Sequence, residues 1–188
     1  MSLRSVAFAL GFTCYSAVAR AEDSVPSPRH YLLAGVAVGS VRMYEPDYGE
    51  RAAGALWLRA LYLFRPIVHF DLGGGLTYLS INDVGQSFAP HLSLRPYFTL
   101  GSAPAMELGI NLHGGFMLSS YYDVAWSGPA LALGPDLRVS INRTLGVQVA
   151  TEVYALGSDP KGSNVDVTRY HLPGFGVAVW VALVVTPP

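Results

Sequence analysis

The chain has 188 residues, 51% of them apolar and 13% charged, with a formal net charge of -1. That is about one domain, too apolar for disorder, and it lacks the basic field that nucleic acid demands, so no nucleic-acid partner is expected. The single cysteine, Cys14, lies in an N-terminal apolar segment, which leaves the remaining chain without a disulfide or a thiolate metal site.

Arg4, the apolar run from Val6 to Phe12 and the Ala19-Arg20-Ala21 sequence before Glu22 have the form of a secretory signal. Residues 1-21 are therefore expected to be removed, leaving Glu22 as the mature N-terminus. A lipoprotein signal is not expected, because Thr13 precedes Cys14 and Gly11 stands three residues before it. Residues 22-29 read as a short periplasmic lead-in, 30-185 as the folded domain and 186-188 as a tail. Apart from a Gly-punctuated C-terminal stretch, no later run of 18 apolar residues occurs, which disfavours helical spans.

Six segments and a central hairpin carry period-two patterning. The first strand is expected over Tyr31 to Met43, where Leu33, Gly35, Ala37, Gly39 and Val41 share one face. The second, Gly54 to Phe64, sets Leu56, Leu58, Ala60, Tyr62 and Phe64 against Arg59 and ends at an Arg65-Pro66 turn. The third, Val68 to Ser80, sets Val68, Phe70, Leu72, Leu76 and Tyr78 against His69, Asp71, Gly73, Gly75 and Thr77. His91 to Leu118 reads as a hairpin turning at Ser102 to Pro104. Leu92, Leu94, Phe98 and Leu100 alternate with polar residues in its first arm; Met106, Leu108, Ile110, Leu112 and Phe116 alternate with Glu107, Asn111 and His113 in its second. The sixth strand, Pro129 to Ile141, carries Asp136 and Arg138 opposite its leucines. After an Asn142-Arg143-Thr144 turn the seventh, Leu145 to Leu156, carries Gln148, Glu152 and Tyr154 opposite its valines. The eighth spans Leu172 to Val185.

Connections alternate between long (44-53, 81-90, 119-127 and 157-170) and short, which suits an up-and-down barrel with all long loops at one rim. The apolar faces have too few opposing charges for a soluble sandwich, and the solvent that fits them is lipid. Only closure then satisfies every strand N-H and C=O. The fold class read from the sequence is all-β: an eight-stranded antiparallel up-and-down transmembrane β-barrel. Aromatic residues on the apolar faces fall into two bands, Tyr62, Phe64, Phe70 and Phe98 near the short turns and Tyr78, Phe116 and Phe175 near the long loops, as interfacial girdles do. Pro96 and Pro135 are each expected to mark a bulge or a missing ladder bond.

On these patterns the chain resembles the small eight-stranded outer-membrane barrels of the OmpA/OmpX type, over residues 30 to 185. The resemblance implies a porin-like architecture in the outer membrane of a Gram-negative-type bacterium, with the loops outside the cell. Barrels of that type commonly finish on an aromatic residue, whereas this chain finishes Val185-Thr186-Pro187-Pro188.

The inward faces would collect Arg59, Arg95 and Arg138 with Asp71, Glu107, Asp136 and Glu152, plus His69, Asn111, His113 and Gln148: a polar network plugging a narrow lumen. A three-residue turn at Arg65 to Ile67 would set Arg59 opposite Gly73 and diagonal to Asp71. Gly73-Gly74-Gly75 would give space to bulky inward neighbours such as Trp57 and Trp180, not cradle phosphate, since no Lys-Ser/Thr follows. A three-residue turn at Ser102 to Pro104 would place Ser93 opposite His113, the best nucleophile and base candidates if the barrel resembles lipid A acyl-modifying enzymes. His69 and Asp71 alone do not make a zinc site, and no cofactor or metal is expected. A lipocalin-like carrier is the soluble alternative, with its apolar faces turned inward. The expected partners are outer-membrane lipids and lipopolysaccharide. Divalent cations are a further candidate at loops rich in Asp47, Glu50, Asp83, Asp123, Asp159 and Asp166, and loop aromatics Tyr121, Tyr122 and Trp126 could meet a sugar or lipid headgroups.

Overall fold

Backbone pairing organises this chain. The structure, a computed structural model, describes residues 29-45, 49-82, 85-101, 106-121, 124-157, 159-160 and 171-187. The expected signal segment, most of the lead-in and the Ser102 to Pro104 turn lie outside the described residues.

Eight long strands are present: β1 (Arg29–Glu45), β2 (Gly49–Ile67), β3 (Phe70–Ile81), β4 (Gly85–Leu100), β5 (Met106–Tyr121), β6 (Val124–Ser140), β7 (Leu145–Leu156) and β8 (His171–Val185). Each pairs antiparallel with its neighbour in sequence, and β8 returns to pair with β1, from Leu32 opposite Val185 to Tyr44 opposite His171. The sheet is a closed up-and-down barrel with no free edge between β1 and β8. The end of β8 lies beside the β6-β7 turn, where Thr186 N-H donates to the Thr144 carbonyl. That turn is fastened by Asn142, whose Oδ1 accepts from the backbone N-H of Thr144 and Leu145.

Two faces follow from the period. Leu32, Val36 and Val38 of β1 point outward while Leu33, Ala37 and Val41 are buried inside, which resolves the ambiguous facing of that Gly- and Ala-rich strand. The outside is a continuous apolar surface that includes Leu58, Leu76, Leu92, Ile110, Leu131, Val149 and Val179, with Leu92 75% exposed. Tyr62, Phe98, Phe116 and Phe175 are exposed on it; Phe64, Phe70 and Tyr78 are half-buried, Tyr78 packing against Phe88. A lipocalin-like carrier requires the opposite facing. Among the described residues no helix is long and apolar enough to cross a membrane.

The strands are longer than the apolar pattern indicates. Residues 85-90 and 119-121, expected as loop, are paired strand, and β2 begins at Gly49 where a polar connection was expected. An extended hairpin beyond an apolar band needs ladder bonds but no apolar face, so polar Gly-Gln-Ser and Ser-Ser-Tyr sequences suffice. Three connections at this rim, the loop rim, thereby shrink to 46-48, 82-84 and 122-123. Of the fourth, 157-170, the described part is Gly157 and a two-residue bridge, Asp159–Pro160, paired with Trp126 and Ser127.

At the opposite rim, the turn rim, the β2-β3 connection departs from expectation. Arg65 and Pro66 remain in β2, the pairing shifts between Phe64 and Ile67, and the turn falls at Val68 and His69, with His69 at φ 68°. Arg59 consequently lies opposite Thr77, not Gly73. Pro96 and Pro135 cause no bulge. The β4-β5 pairing skips Arg95 and Pro96, the β6-β7 pairing skips Gly134 and Pro135, and each resumes in the same register.

Inward glycines mark close backbone approach and not room for tryptophans. A Cβ on Gly73 would lie 1.9 Å from the Tyr62 carbonyl oxygen, and one on Gly75 2.1 Å from that of Ala60. Gly73→Val should therefore abolish the folded species that migrates differently before and after heating on a gel. Gly114→Ala, whose added carbon would find its nearest neighbour at 3.4 Å, should leave that species intact; equal behaviour of the two variants would contradict the close-approach account.

Candidate functional site

The lumen is stratified along the barrel axis. Toward the loop rim it is apolar, a cluster that includes Val41, Trp57, Leu79, Ile81, Met117 and Leu156. Toward the turn rim a smaller apolar group of Tyr31, Leu33, Leu61, Leu63 and Val184 packs beside ionised side chains. Among the described residues with placed side chains, every charged residue on an inward face belongs to one of two groups.

The larger group lies nearer the turn rim. Arg95 grips Asp136 through Nε and Nη2, the shorter contact 2.7 Å, and donates through Nη1 to Asp71 at 3.1 Å and Glu107 at 2.9 Å. Arg65 grips Asp71 through Nε at 2.8 Å and Nη2 at 3.3 Å, and reaches Glu107 at 3.0 Å. Arg138 Nη1 completes the set at 3.2 Å from Asp71. Three guanidinium groups thus face three carboxylates, each carboxylate held by at least one arginine, which is the condition under which buried charge is tolerable. Tyr31 and Tyr97 cover the guanidinium faces, with Arg65 4.2 Å from the Tyr97 ring centre.

The second group sits at mid-lumen. Arg59 and Glu152, on strands at opposite sides of the barrel, form a bidentate pair at 2.8 and 2.7 Å. Arg59 Nε donates to Thr77 Oγ1, Nη2 also donates to the Tyr154 hydroxyl, and the guanidinium lies 4.0 Å from the Trp180 ring centre. Trp180 Nε1-H donates to the same hydroxyl. Glu152 is wholly buried, and Asn111 Nδ2 approaches its Oε1 at 3.4 Å, with Gln148 Nε2 3.4 Å from Asn111 Oδ1. Arg59 is thus partnered by Glu152 and not by Asp71.

Ser93 and His113 are paired across β4 and β5, with Ser93 Oγ 2.8 Å from His113 Nδ1. His113 Nε2 lies 3.2 Å from Glu152 Oε1 and 3.0 Å from Arg59 Nη1. The connectivity is that of a nucleophile, a base and an orienting carboxylate, but two observations weigh against hydrolysis. Arg59 can only donate and Glu152 only accept, so they make opposite demands on Nε2, and a ring that accepts from Arg59 carries its proton on Nδ1, where it cannot take one from Ser93. Ser93 is also 2% exposed and borders neither of the two cavities flanking Arg59. One cavity, about 30 Å³, lies on the loop-rim side; the other, about 20 Å³, is bordered by Asn111, Gln148 and Glu152. The first has room for about two or three waters and the second for about one or two.

His69 stands outside this network. Its place in the β2-β3 turn stacks it against Tyr97, 5.5 Å between ring centres, and its carbonyl accepts from the Tyr97 N-H. Arg65 is the member that the sequence reading missed, because Arg-Pro reads as a turn. The signal was there: Arg65 continues the inward alternation of Arg59, Leu61 and Leu63, and it precedes Asp71 by six residues across a hairpin. Among the described residues no three His, Cys, Asp or Glu side chains are grouped to hold a metal ion.

No protein-family model matches the sequence, and no curated protein matches it. Among solved structures the chain is similar to Neisserial surface protein A, with 10% identity and a TM-score of 0.55, over 83% of this chain and 96% of that one. The translocator domain of the autotransporter NalP from Neisseria meningitidis also aligns, at 10% identity and a TM-score of 0.26, over 97% of each chain. The first likeness establishes the fold, a closed eight-stranded barrel.

Removing one partner of the mid-lumen pair tests its role. Arg59→Leu leaves Glu152 buried beside neutral groups and should cost about 3–5 kcal/mol in urea unfolding of detergent-folded protein. Adding Glu152→Leu should restore most of that loss; a double variant as unstable as the single one would show that the pair is not the determinant.

Proposed function

We propose that this chain is an integral outer-membrane β-barrel with a plugged lumen, and that its task is structural or one of surface contact made at the loop rim. One observation carries the reading: apolar and charged side chains are inverted relative to a soluble protein. Leu, Val, Ile and Phe side chains cover the outside, while four arginines and four carboxylates are paired within. Among the described residues with placed side chains, outward charges occur only toward strand ends and in a turn, at Arg29, Arg42 and Arg143. An exposed apolar wall of this extent is stable when the surroundings are lipid, and the eight charges inside are tolerable because each is paired.

The plug reading rests on the same residues. With Arg59 fastened to Glu152 between two water-sized cavities, and the three-arginine group beyond, hydrated ions have no continuous path. Conductance in planar bilayers should be negligible; reproducible channels would overturn the plug.

Exposed aromatics Tyr62, Phe98, Phe116 and Phe175 suit the two lipid interfaces, where such rings are favoured. The loop rim is then the surface open to partners. Its sequence is acidic, with Glu45, Asp47, Glu50, Asp83, Asp123, Asp159 and Asp166 against Arg51, Lys161 and Arg169, which favours lipopolysaccharide bridged by divalent cations over free anions. In bacterial barrels the longer loops face outward and the short turns the periplasm. Trypsin added to intact cells should accordingly cut after Lys161 or Arg169 and spare Arg143. Cutting at Arg143 with Lys161 protected would mean the inverted orientation.

A further inference from the structure

The larger cavity is a built site whose polar end is incomplete. Its walls are mostly apolar, with Trp57, Leu79, Met117 and Leu156 among them and the hydroxyls of Thr77 and Ser87 at the edge, and its floor is formed by Arg59, His91 and His113. The floor carries no spare charge, because both terminal nitrogens of Arg59 are bound to Glu152. His113 is likewise engaged through both ring nitrogens. His91 differs. Its ring is nine-tenths buried, Nδ1 lies 3.0 Å from the Ala89 carbonyl oxygen, and Nε2 has no hydrogen-bond partner.

That geometry defines what the site accepts. A carbonyl oxygen can only accept, so Nδ1 carries the ring proton, and Nε2 of the neutral imidazole presents a bare lone pair. The complement is a hydrogen-bond donor. A cation or an anion would add charge to a floor already neutral, at the desolvation cost of an unpaired buried ion. Water is a poorer match, since a buried water wants two to four polar partners and, beyond the hydroxyls of Thr77 and Ser87, the cavity offers one unpartnered atom among mostly apolar walls. An alcohol needs only one acceptor for its hydroxyl and gains by burying its carbons.

We propose that this cavity binds a small neutral alcohol, the hydroxyl donating to His91 Nε2 and the alkyl part lying against Trp57, Met117 and Leu156. At about 30 Å³ the site admits two or three heavy atoms without rearrangement. The unbranched Met117 side chain is the adaptable wall that accommodates one more. The barrel is then a receptor for a short alcohol.

Two probes of equal size separate donor from acceptor: 2-propanol carries a hydroxyl and acetone, on the same carbon skeleton, does not. Folded, nitrogen-15-labelled protein in detergent micelles would be titrated with each while the His91 Nε2 resonance, assigned by its loss in His91→Phe, is followed. The expected result is a saturable shift with 2-propanol, at least about fivefold weaker saturation with acetone, as fits one lost neutral hydrogen bond, and loss of the response in Ala132→Leu, which fills the cavity. Should Ala132→Leu not yield the heat-modifiable folded band, Ala89→Val serves as the filling variant. No saturable shift with 2-propanol, equal saturation by acetone, a response that survives cavity filling, or an Nε2 already hydrogen-bonded to water that neither probe displaces would each overturn the assignment.

Discussion

The constraint on which the rest of this structure depends is closure of the hydrogen-bond ladder. Once β8 pairs with β1, every strand has two neighbours, and an apolar exterior can face lipid without exposing an unpaired backbone group. Closure at eight strands also fixes how narrow the interior is, just wide enough for side chains to fill. Each inward residue must then be small, apolar or matched to a partner across the lumen. The glycines at 73, 75, 115 and 134 show how tight this is, for a Cβ at any of them would lie within about 2 Å of a backbone oxygen on the adjacent strand.

Charge placement follows from that narrowness. A lone arginine inside would carry an uncompensated desolvation penalty, and distributed pairs would each need their own geometry. The structure concentrates the ions instead. Asp71 accepts from Arg65, Arg95 and Arg138 at once, so three strands are tied through one carboxylate. Arg59 and Glu152 tie β2 to β7 across the lumen, and Tyr154 and Trp180 extend that tie to β8. Such a network contributes less to net stability than its many contacts suggest, since desolvation offsets most of the attraction. Its stronger effect is on register: a one-residue slip of any of these strands would turn its charged residue out onto the apolar exterior.

How much of this was legible in the sequence follows from which quantities are local. Inside and outside were legible because the alternation is extreme: Leu94, Arg95, Pro96 and Tyr97 declare their faces without knowledge of any partner. The Ser93 and His113 juxtaposition was legible because the position of a hairpin's turn sets its register, and centring it near Ala103 gives the register that the pairing of Leu100 with Met106 keeps. The Arg59 partner was not. A bulge at Phe64 to Ile67 shifted the β2-β3 register, and Glu152 lies 93 residues away, brought near only by how the strands are staggered on closing. Strand ends were illegible for a third reason, since the hairpin extensions at 85-90 and 119-121 leave the apolar band and their ladder bonds require no particular side chain.

The same division between local and closed-barrel information bears on the lumen's chemistry. Stratification into a charged half and an apolar half cannot be read from any one strand, because each contributes to both: β2 carries Trp57 toward the loop rim and Arg65 toward the turn rim, and β5 carries Met117 and Glu107 likewise. Closure stacks these contributions into layers. Arg59 and the two histidines fall at the boundary, where the paired ions end and the apolar walls begin. A boundary of this kind is where a polar atom can be left facing an apolar space, since neither layer supplies its partner, and His91 occupies that position. Its incompleteness is therefore a consequence of how the barrel is layered and not of poor packing, because the aromatic and aliphatic groups around it are among the most deeply buried in the chain.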